Sequence, residues 1–341
     1  MRRRIILILL LAVVLAGAAL AWHFYTWIYH PNTASDADRQ VVLVYPHTTF
    51  DALTSSLLEQ GILLNEASFR WVAKRMQFDD EAIKDGRYRI AGGLSNYDLI
   101  HQLRLGQQEP MDLVMNSAWS TEDLCGKIGQ QLAIDSVALC TYLYNVYLPQ
   151  SDYSRETLLS LFIPNTYEVY WNTSEEALIK RLEQEHATFW SERRRLADSL
   201  GLTPEEVYTL ASIVERETRA DEEKPTIAGV YLNRINRGML LQADPTVLYA
   251  LGDFSIRRVL NKHLTVDSPY NTYKYPGLPP GPITMPSIAS IDAVLRPERH
   301  NYLFFCAKPG QVGYHVFAST LAGHMRNARA YQSWLNAEGI R

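Results

Sequence analysis

An apolar run near the N-terminus constrains this 341-residue chain more than any other feature. Arg2, Arg3 and Arg4 precede the run, which extends without a charged residue from Ile5 to Trp22. A helix of that length reaches roughly across the hydrocarbon core of a bilayer. Positive charge lies before the run and none follows it directly, which orients the N-terminus inside the cytoplasm and the rest of the chain outside.

Aromatic residues directly after the run suit the outer membrane interface, where aromatic rings are enriched. They are Trp22, Phe24, Tyr25, Trp27 and Tyr29. A cleaved signal peptide is the alternative, because Ala19-Leu20-Ala21 matches the small-x-small cleavage pattern. The aromatic cluster favours a retained single-pass anchor over residues 1–30. Both interpretations place residues 31–341 outside the cytoplasm.

Charge and cysteine content bear on the partners. A net charge of −4 and a pI near 6.2 give no reason to expect nucleic acid as a partner. Cys125, Cys140 and Cys306 form no CxxC pair and fit neither a disulfide scaffold nor a zinc site. Three buried thiols are the preferred interpretation, with a Cys125–Cys140 bridge as the alternative. No P-loop, dinucleotide fingerprint, HExxH or GxSxG motif occurs, so we expect neither a metal nor a cofactor.

The soluble part mixes helical and β-rich segments without a regular βαβ rhythm, which predicts an α+β fold. A polar linker at 31–40 is followed by a predicted order of strand, helix, helix, strand and a further helix. The predicted segments are a strand at 41–45, helices at 49–61 and 66–76, a strand at 87–90 and a helix after Ser95. We expect a small module over 31–108 and a mixed α+β domain over 109–341.

Part of the module's pattern recurs within residues 109–153. A displacement of about seventy residues pairs Leu53 with Leu124 and Leu57 with Ile128, one turn apart in each predicted helix. Helix-capping residues that are common to unrelated helices produce the same match by chance. The sequence therefore does not decide whether the chain contains an internal repeat.

One predicted helix carries two glutamates near its end. Thr203-Pro204-Glu205-Glu206 is a strong helix start with a capping box. The apolar stripe of this helix consists of Val207, Leu210, Ala211, Val214 and Thr218. Glu215 and Glu217 flank the stripe on opposite sides, where partial burial raises a carboxyl pKa toward that of a general acid. Two structural glutamates at the helix boundary are the alternative, and spacing does not choose between Glu215 and Glu217.

Three later segments bear polar groups that suit sugar recognition, although each is also an ordinary structural loop when taken alone. Gln242 to Thr246 follows Asn233-Arg234 closely. Ser268 to Tyr273 and the proline-rich Gly277 to Pro282 predict a rigid extended backbone that presents groups to a groove. His315, between apolar strand residues, is expected to be structural.

Taken together, these motifs closely resemble the MltG (YceG-like) family of bacterial endolytic murein transglycosylases. The matching motifs are Leu-Ala-Ser-Ile-Val-Glu-Arg-Glu-Thr (210–218), Gln-Ala-Asp-Pro-Thr-Val-Leu-Tyr (242–249), Ser-Pro-Tyr-Asn-Thr-Tyr (268–273) and Gly-Leu-Pro-Pro-Gly-Pro-Ile (277–283). The resemblance also includes the anchor, Pro-Asn-Thr-Tyr at 164–167 and Tyr-His-Val-Phe at 314–317. Departures are Pro-Asn at 164–165, where Pro-Asp is expected, and Thr-Met-Pro at 284–286, where Asn-Pro is commoner.

The resemblance implies a catalytic role for Glu215, the first glutamate of Val-Glu-x-Glu-Thr. It implies a LysM-like module at 41–90, a peptidoglycan substrate, peptidoglycan synthases as candidate partners, and an inner-membrane protein facing the periplasm. Cleavage between MurNAc and GlcNAc would leave 1,6-anhydro-MurNAc ends. The residues expected to bind the substrate or orient Glu215 are Glu217, Gln242, Asp244, Thr246, Asn271, Thr272 and Tyr273.

Three other functions compete with this hypothesis. A lysozyme-like muramidase would use Asp244 as its second carboxylate and leave reducing ends. An aminodeoxychorismate lyase, an old label for this family, would need pyridoxal phosphate, and the chain has no recognisable phosphate loop. A peptidoglycan-binding protein without catalysis would bind the wall and leave it uncut.

Overall fold

The computed structural model describes residues 2–37, 40–256 and 259–339. The described strands pair two by two among many helices, so the fold is mixed α+β, as the sequence predicted. The chain forms two compact units. The first comprises the residues up to Asp112 together with Glu168–Thr173. The second comprises Leu113–Tyr167 and the residues from Ser174 onward.

The first unit contains a strand–helix–helix–strand order after its N-terminal helix. Its elements are α1 (Arg2–Tyr29), β1 (Val41–Val44), α2 (Phe50–Glu59), α3 (Glu66–Met76), β2 (Gly86–Arg89) and α4 (Asn96–Leu105). β1 and β2 pair antiparallel, with Val41 opposite Arg89. The side chains of Thr49, Asn65 and Ser95 cap α2, α3 and α4 by accepting from a first-turn backbone N–H. The predicted order is therefore confirmed.

The segment after α1 differs from the linker expected at 31–40. Asn32, Thr33 and Ala37 are buried, and Thr33 forms a β-bridge with Leu63. The Asn32 side chain donates to Asn96 Oδ1 at 2.7 Å. These partners lie some thirty to sixty residues away, so sequence polarity alone did not reveal that the segment is packed. Residues 38 and 39 lie outside the described ranges.

α1 combines an exposed apolar part with a packed end. Its 28 residues extend about 42 Å, more than the roughly 30 Å of a bilayer core. Near its end, the Phe24 ring stacks on Trp71 of α3 with centroids 4.6 Å apart. The Asn96 side chain donates to the Trp27 carbonyl at 2.9 Å. Two of the aromatic residues expected at the membrane interface thus contact α3 and α4 of the same unit.

The boundary between the units falls within two strands, β3 (Met111–Met115) and β4 (Asn165–Val169). The other helices and strands of the second unit are α5 (Thr121–Gly129), α6 (Ser136–Tyr142), α7 (Glu175–Leu200), α8 (Pro204–Glu217), α9 (Lys224–Asn236), α10 (Asp244–Leu251), α11 (Ile288–Leu295), β5 (Phe304–Ala307), β6 (His315–Ala318) and α12 (Leu321–Ala337). β3 pairs with β4, and β5 pairs with β6 as an antiparallel hairpin.

A second strand–helix–helix–strand order runs from β3 through α5 and α6 to β4. The aligned pairs Leu53 and Leu124, and Leu57 and Ile128, are all buried, and Ser120 caps α5 as Thr49 caps α2. The order of elements thus recurs, and its last strand comes after the 109–153 segment in which the sequence suggested a repeat.

α8 is the central helix of the second unit. It packs against α7, α9, α10 and α11, and every residue from Val207 to Val214 is buried. The buried surface of α8 is therefore wider than the one-sided apolar stripe that the sequence predicted. Polar residues off the stripe find internal partners: the Tyr208 hydroxyl donates to the Phe162 carbonyl at 2.8 Å, and Ser212 Oγ donates to the Thr209 carbonyl at 2.7 Å.

The three cysteines are free thiols. Cys125 is buried, whereas Cys140 and Cys306 are half-buried, so the expectation of three buried thiols holds fully for Cys125 alone. Cys125 and Cys140 lie within hydrogen-bonding contact, and burial raises the pKa of the Cys125 thiol. The bridge considered as the alternative is not formed in this structure.

Candidate active site

The last turn of α8 presents two carboxyl groups to different surroundings. The N-cap of α8 is Thr203, whose side chain accepts from the Glu206 backbone N–H in a capping box, and the helix ends at Glu217. Residues two apart on an α-helix point about 200° apart around its axis. Glu215 therefore contacts the N-terminal ends of α9 and α11, whereas Glu217 contacts Tyr231 in the middle of α9.

Several donors converge on one oxygen of Glu215. Oε2 accepts from Ser287 Oγ at 2.5 Å, from Ser290 Oγ at 2.5 Å and from the Ser287 backbone N–H at 3.1 Å. Lys224 Nζ lies 3.2 Å from the same oxygen. Among the described residues none donates to Oε1, and 29% of the side chain is exposed. The carboxyl group is thus held through Oε2, and no residue that the structure describes donates to Oε1.

The pKa of Glu215 lies below its ordinary value. Burial is the largest influence and raises the pKa, but the hydrogen bonds from Ser287 and Ser290 and the charge of Lys224 together outweigh it. These groups all favour the ionised form of a carboxyl group. In the free protein at neutral pH, Glu215 is therefore a carboxylate.

Lys224 supplies the only cation in contact with the Glu215 carboxylate among the described residues. Its side chain is 4% exposed and lies at the start of α9. Nζ also contacts Asp221 at 2.7 Å and donates to Ser287 Oγ at 3.1 Å. A buried ammonium needs such partners because desolvation otherwise disfavours its charge. The three contacts fix the charge beside the carboxylate.

Glu217 has the opposite protonation preference. Its Oε1 accepts from the Tyr231 hydroxyl at 2.5 Å. Burial raises the pKa of Glu217 to about 7, although the Tyr231 hydrogen bond partly opposes the shift, and the nearby charge of Asp244 adds to it. At neutral pH this carboxyl group is thus divided between its acid and its ionised form.

Glu217 opens into a cavity of about 410 Å³ that also contains three predicted substrate-binding residues. They are Gln242, Asp244 and Tyr273. The Tyr273 hydroxyl donates to Asp244 Oδ1 at 2.5 Å. Gln242 adopts a left-handed backbone with φ of 53°, a strained conformation that is common at functional sites. Glu215 does not line this cavity, so the structure does not bring all the predicted residues to one place.

The other three predicted residues do not line the cavity. Thr246, Asn271 and Thr272 are fully buried, and each contacts protein groups. The Thr246 and Thr272 hydroxyls are 2.9 Å apart, and Thr272 Oγ1 accepts from the Ala243 N–H at 3.0 Å. Asn271 donates to two backbone carbonyls of the loop before it, those of Leu264 and Val266. These contacts hold the segments that carry Gln242, Asp244 and Tyr273.

The residues of this site lie within a segment that matches a known protein family. The sequence model of the YceG-like family matches residues 42–330. The chain belongs to the YceG-like family. The match includes α8, the Glu217 cavity and the serines of α11, but it begins after α1.

Relatives of this YceG-like protein are named for one activity. A protein of Bacillus subtilis (strain 168) is 41% identical over 162 residues, covering 47% of this chain and 43% of its own length. One from Streptococcus pneumoniae serotype 2 is 27% identical, covering 93% of this chain and 63% of its own length. Both are called endolytic murein transglycosylase. The chain thus spans less than two thirds of the length of these curated relatives.

A solved structure also resembles the fold. The crystal structure of a YceG-like protein from Listeria monocytogenes matches with a TM-score of 0.57 at 25% identity. The match covers 84% of this chain and 98% of the other.

Sequence reasoning missed the residues that surround Glu215 in this YceG-like protein. Lys224, Ser287 and Ser290 were not among the predicted site residues, because each is ordinary in its local pattern. Ser287 is the N-cap of α11, and its side chain accepts from the Ser290 N–H. A serine three residues after an N-cap serine, following a proline, was the one local signal available.

Proposed function

We propose that this chain is an endolytic peptidoglycan lytic transglycosylase in which Glu215 is the acid and base. The proposal rests on the donors to Glu215 Oε2, since no described residue donates to Oε1. A carboxyl group that transfers a proton needs a fixed orientation and an open oxygen. The names of the Bacillus and Streptococcus relatives support the same activity.

The proposed reaction needs one carboxyl group in two successive roles. Oε1 of protonated Glu215 donates its proton to the glycosidic oxygen between MurNAc and GlcNAc, and the bond from that oxygen to C1 breaks. GlcNAc leaves with a 4-hydroxyl. The Glu215 carboxylate then removes the proton of the MurNAc C6 hydroxyl, whose oxygen bonds to C1 and closes the 1,6-anhydro ring. Because the nucleophile is internal, no second carboxylate is required, unlike in hydrolysis.

The proton for the first step comes from the protonated fraction of Glu215. The lowered pKa makes this a minority form at neutral pH. A glycan bound over the exposed 29% of the side chain removes water from the carboxylate and raises its pKa. Substrate binding itself therefore favours the protonated form at the moment it is needed.

We assign Gln242, Asp244 and Tyr273 to saccharide contact through the cavity they share with Glu217. Asp244 accepts and Gln242 both donates and accepts, so together they suit the hydroxyl and acetamido groups of peptidoglycan sugars. Thr246, Asn271 and Thr272 hold these residues in position, as their internal contacts indicate. A cavity lined by Glu217, two residues along α8 from the acid, suits a long polymer that extends over several binding positions.

We further propose that α1 anchors the protein in the bacterial inner membrane with the second unit in the periplasm. α1 is apolar and long enough to span, and three arginines precede the apolar run. The strand–helix–helix–strand module at 41–90 is LysM-like in its order of elements. The tether confines cutting to strands near the membrane, where synthases release new glycan.

The chemistry is tested with the full-length protein in detergent on uncrosslinked glycan strands, followed by mass spectrometry of the new ends. Wild type should release internal fragments with 1,6-anhydro-MurNAc ends. Glu215→Gln should bind the same strands and leave them intact, because an amide has no proton of comparable acidity to donate.

Each alternative gives a different product. Reducing ends would favour a muramidase with Asp244 as second carboxylate. Strands that stay intact with wild type, while the protein sediments with sacculi, would favour a wall-binding protein without catalysis. Cutting by Glu215→Gln at the wild-type rate would remove the assignment of the acid.

The role of the anchor is tested in cells. An exported form without residues 1–30 should alter the distribution of glycan chain lengths relative to the anchored protein, because cutting is no longer restricted to the membrane surface. Identical distributions at equal protein levels would count against the tethered role.

A further inference from the structure

A second cavity, of about 230 Å³, lies in the same unit and contains none of the residues predicted for the site. Its wall combines three tyrosine rings with charged side chains. The rings of Tyr249 and Tyr270 are tilted by 48° to each other with centroids 4.7 Å apart, and the Arg155 guanidinium lies 4.4 Å from the ring centre of Tyr144. The Tyr144 hydroxyl donates to Glu122 at 2.7 Å. Glu156 also lines the wall.

Two chain connections place this cavity near Glu215. Pro282 lines the cavity, and Ser287 of the same segment donates to Glu215. Five extended residues span at most about 17 Å, which bounds the separation of the two points. The next residue, Ile283, donates its N–H to Ser212 of α8 at 3.0 Å, so the segment follows the helix that carries Glu215.

The second connection passes through an aromatic contact. Ser120 lines the cavity, and Trp119 directly precedes it. The guanidinium of Arg216, the neighbour of Glu215, lies 4.2 Å from the Trp119 ring centre. Phe254 packs on the same ring with centroids 4.0 Å apart and is 44% exposed. Trp119 thus connects the cavity wall to the end of α8 that carries Glu215.

We propose that this tyrosine cavity binds sugar residues of the glycan strand beyond the bond that Glu215 cleaves. The inference rests on the proposed function and adds a binding position to it. A pyranose ring has an apolar face of C–H groups and an edge of hydroxyl groups. Aromatic faces bordered by a few convergent polar groups match both parts. Glu122 and Glu156 accept from sugar hydroxyls, and Arg155 donates to them.

The state of the tyrosines agrees with this role. Burial raises the pKa of Tyr144, Tyr249 and Tyr270, so each phenol stays neutral and keeps its proton. A neutral phenol both donates to and accepts from a sugar hydroxyl, and its ring stacks without the repulsion that a phenolate would add. The cavity carries two carboxylates and one guanidinium, so its wall offers both acceptors and donors to a ligand with many hydroxyls.

The experiment measures the binding of glycan oligosaccharides without stem peptides to full-length protein in detergent, with Glu215→Gln as the background that prevents cutting. Tyr249→Ala and Tyr270→Ala should each weaken binding at least fivefold. Tyr249→Phe and Tyr270→Phe should weaken binding less than the alanine variants do, by no more than about threefold, because they keep the ring and lose only the hydroxyl. The control is Tyr142→Ala, whose ring lines a different cavity and whose loss should leave affinity unchanged.

Unchanged affinity in both alanine variants, with circular dichroism like that of the parent, would overturn the inference. A loss confined to strands that carry stem peptides would also overturn it and assign the cavity to peptide. The test of the tyrosine cavity and the test of the proposed function can fail independently. If Glu215→Gln stops cutting while the tyrosine variants bind normally, only this inference fails. If Glu215→Gln cuts like wild type, the acid assignment fails; binding is then measured below the temperature at which cutting is detectable.

Discussion

Glu215 and Glu217 lie two residues apart on the same helix, yet their surroundings drive their protonation in opposite directions. Glu215 contacts a buried lysine and two serine hydroxyls, and its pKa falls. At Glu217 burial is the dominant influence and only the Tyr231 hydroxyl donates among the described residues, so its pKa rises to about 7. The difference comes from the elements that reach each side of α8, because the two side chains share the backbone that carries them.

The comparison shows that an elevated pKa does not by itself identify a catalytic acid. Glu217 has the pKa expected of a general acid. Glu215 instead has a carboxyl group with a fixed orientation, and no described residue donates to its Oε1. A proton-transfer role requires geometry first and then a suitable pKa. We therefore propose Glu215 as the acid and base, and Glu217 as a residue of the sugar-binding cavity.

The largest expected difference is in activity. Glu215→Gln should lower the rate of glycan cutting by about 10²–10⁴-fold, the usual contribution of general acid–base catalysis. Glu217→Gln is the matched control, since it makes the same change on the same helix turn. It should retain at least one tenth of the wild-type rate. If Glu217→Gln is the less active of the two, the comparison is reversed and Glu217 is the acid.

The second difference is in the pH dependence of stability. Glu217 keeps its proton in the folded state up to about pH 7, whereas in the unfolded chain it loses the proton near pH 4.5. Between these values the folded state binds more protons, so stability falls as pH rises, by up to about 3 kcal/mol in total. Urea unfolding in detergent at pH 5 to 8 should show this fall in wild type and not in Glu217→Gln.

Glu215 provides the opposite control in the same measurement. Its folded-state pKa is lowered, so its stabilisation is present above the unfolded pKa and is lost only as pH falls through the folded value. The stability difference between wild type and Glu215→Gln should stay constant from pH 5 to 8. A difference that changes with pH across this window would show that the lysine and serines do not control Glu215.

A third difference concerns the serine donors. Ser290→Ala removes one hydrogen bond from the Glu215 carboxylate, which raises its pKa. Ser287 and Lys224 remain in contact with the carboxylate, so part of the lowering persists. A hydrogen bond to a charged group contributes about 1.5 kcal/mol or more, which corresponds to about one pH unit. The falling limb of kcat/KM should move to higher pH by that amount.

The control for this change is Ser160→Ala. Ser160 is equally buried, and its hydroxyl donates to the Thr157 carbonyl rather than to Glu215. Its removal should leave the pH profile in place even if it lowers stability. A Ser290→Ala profile that matches wild type would mean that the serine only caps α11.

The local parts of this structure were predictable from the sequence. α3 occupies 66–76 as predicted, and the caps Thr49, Ser95 and Thr203 begin helices where expected. These features depend on residues within one helical turn of each other, so a short window contains the whole signal.

The unpredicted parts depend on pairings between distant segments. The donors on Glu215 come from α9 and α11, nine to seventy-five residues along the chain. Asn32 is packed because Asn96 accepts from it, which no local pattern encodes. The width of the buried surface of α8 likewise depends on four other helices. Resemblance supplied the choice of Glu215, and the structure adds the physical reason for its orientation.

The smallest expected effect tests how far the two carboxyl groups are independent. Tyr231→Phe removes the hydroxyl that donates to Glu217, which lowers that pKa, so the pKa of Glu217 should rise above about 7. Because Tyr231 does not contact Glu215, the rate of cutting at pH 6 should stay within about threefold of wild type, an effect of less than 1 kcal/mol. The pH at which stability stops falling should move upward in the unfolding measurement. A larger loss of activity, with that stability profile unchanged, would mean that the Glu217 cavity contributes to the chemical step, because the hydroxyl would then act on substrate and not on Glu217.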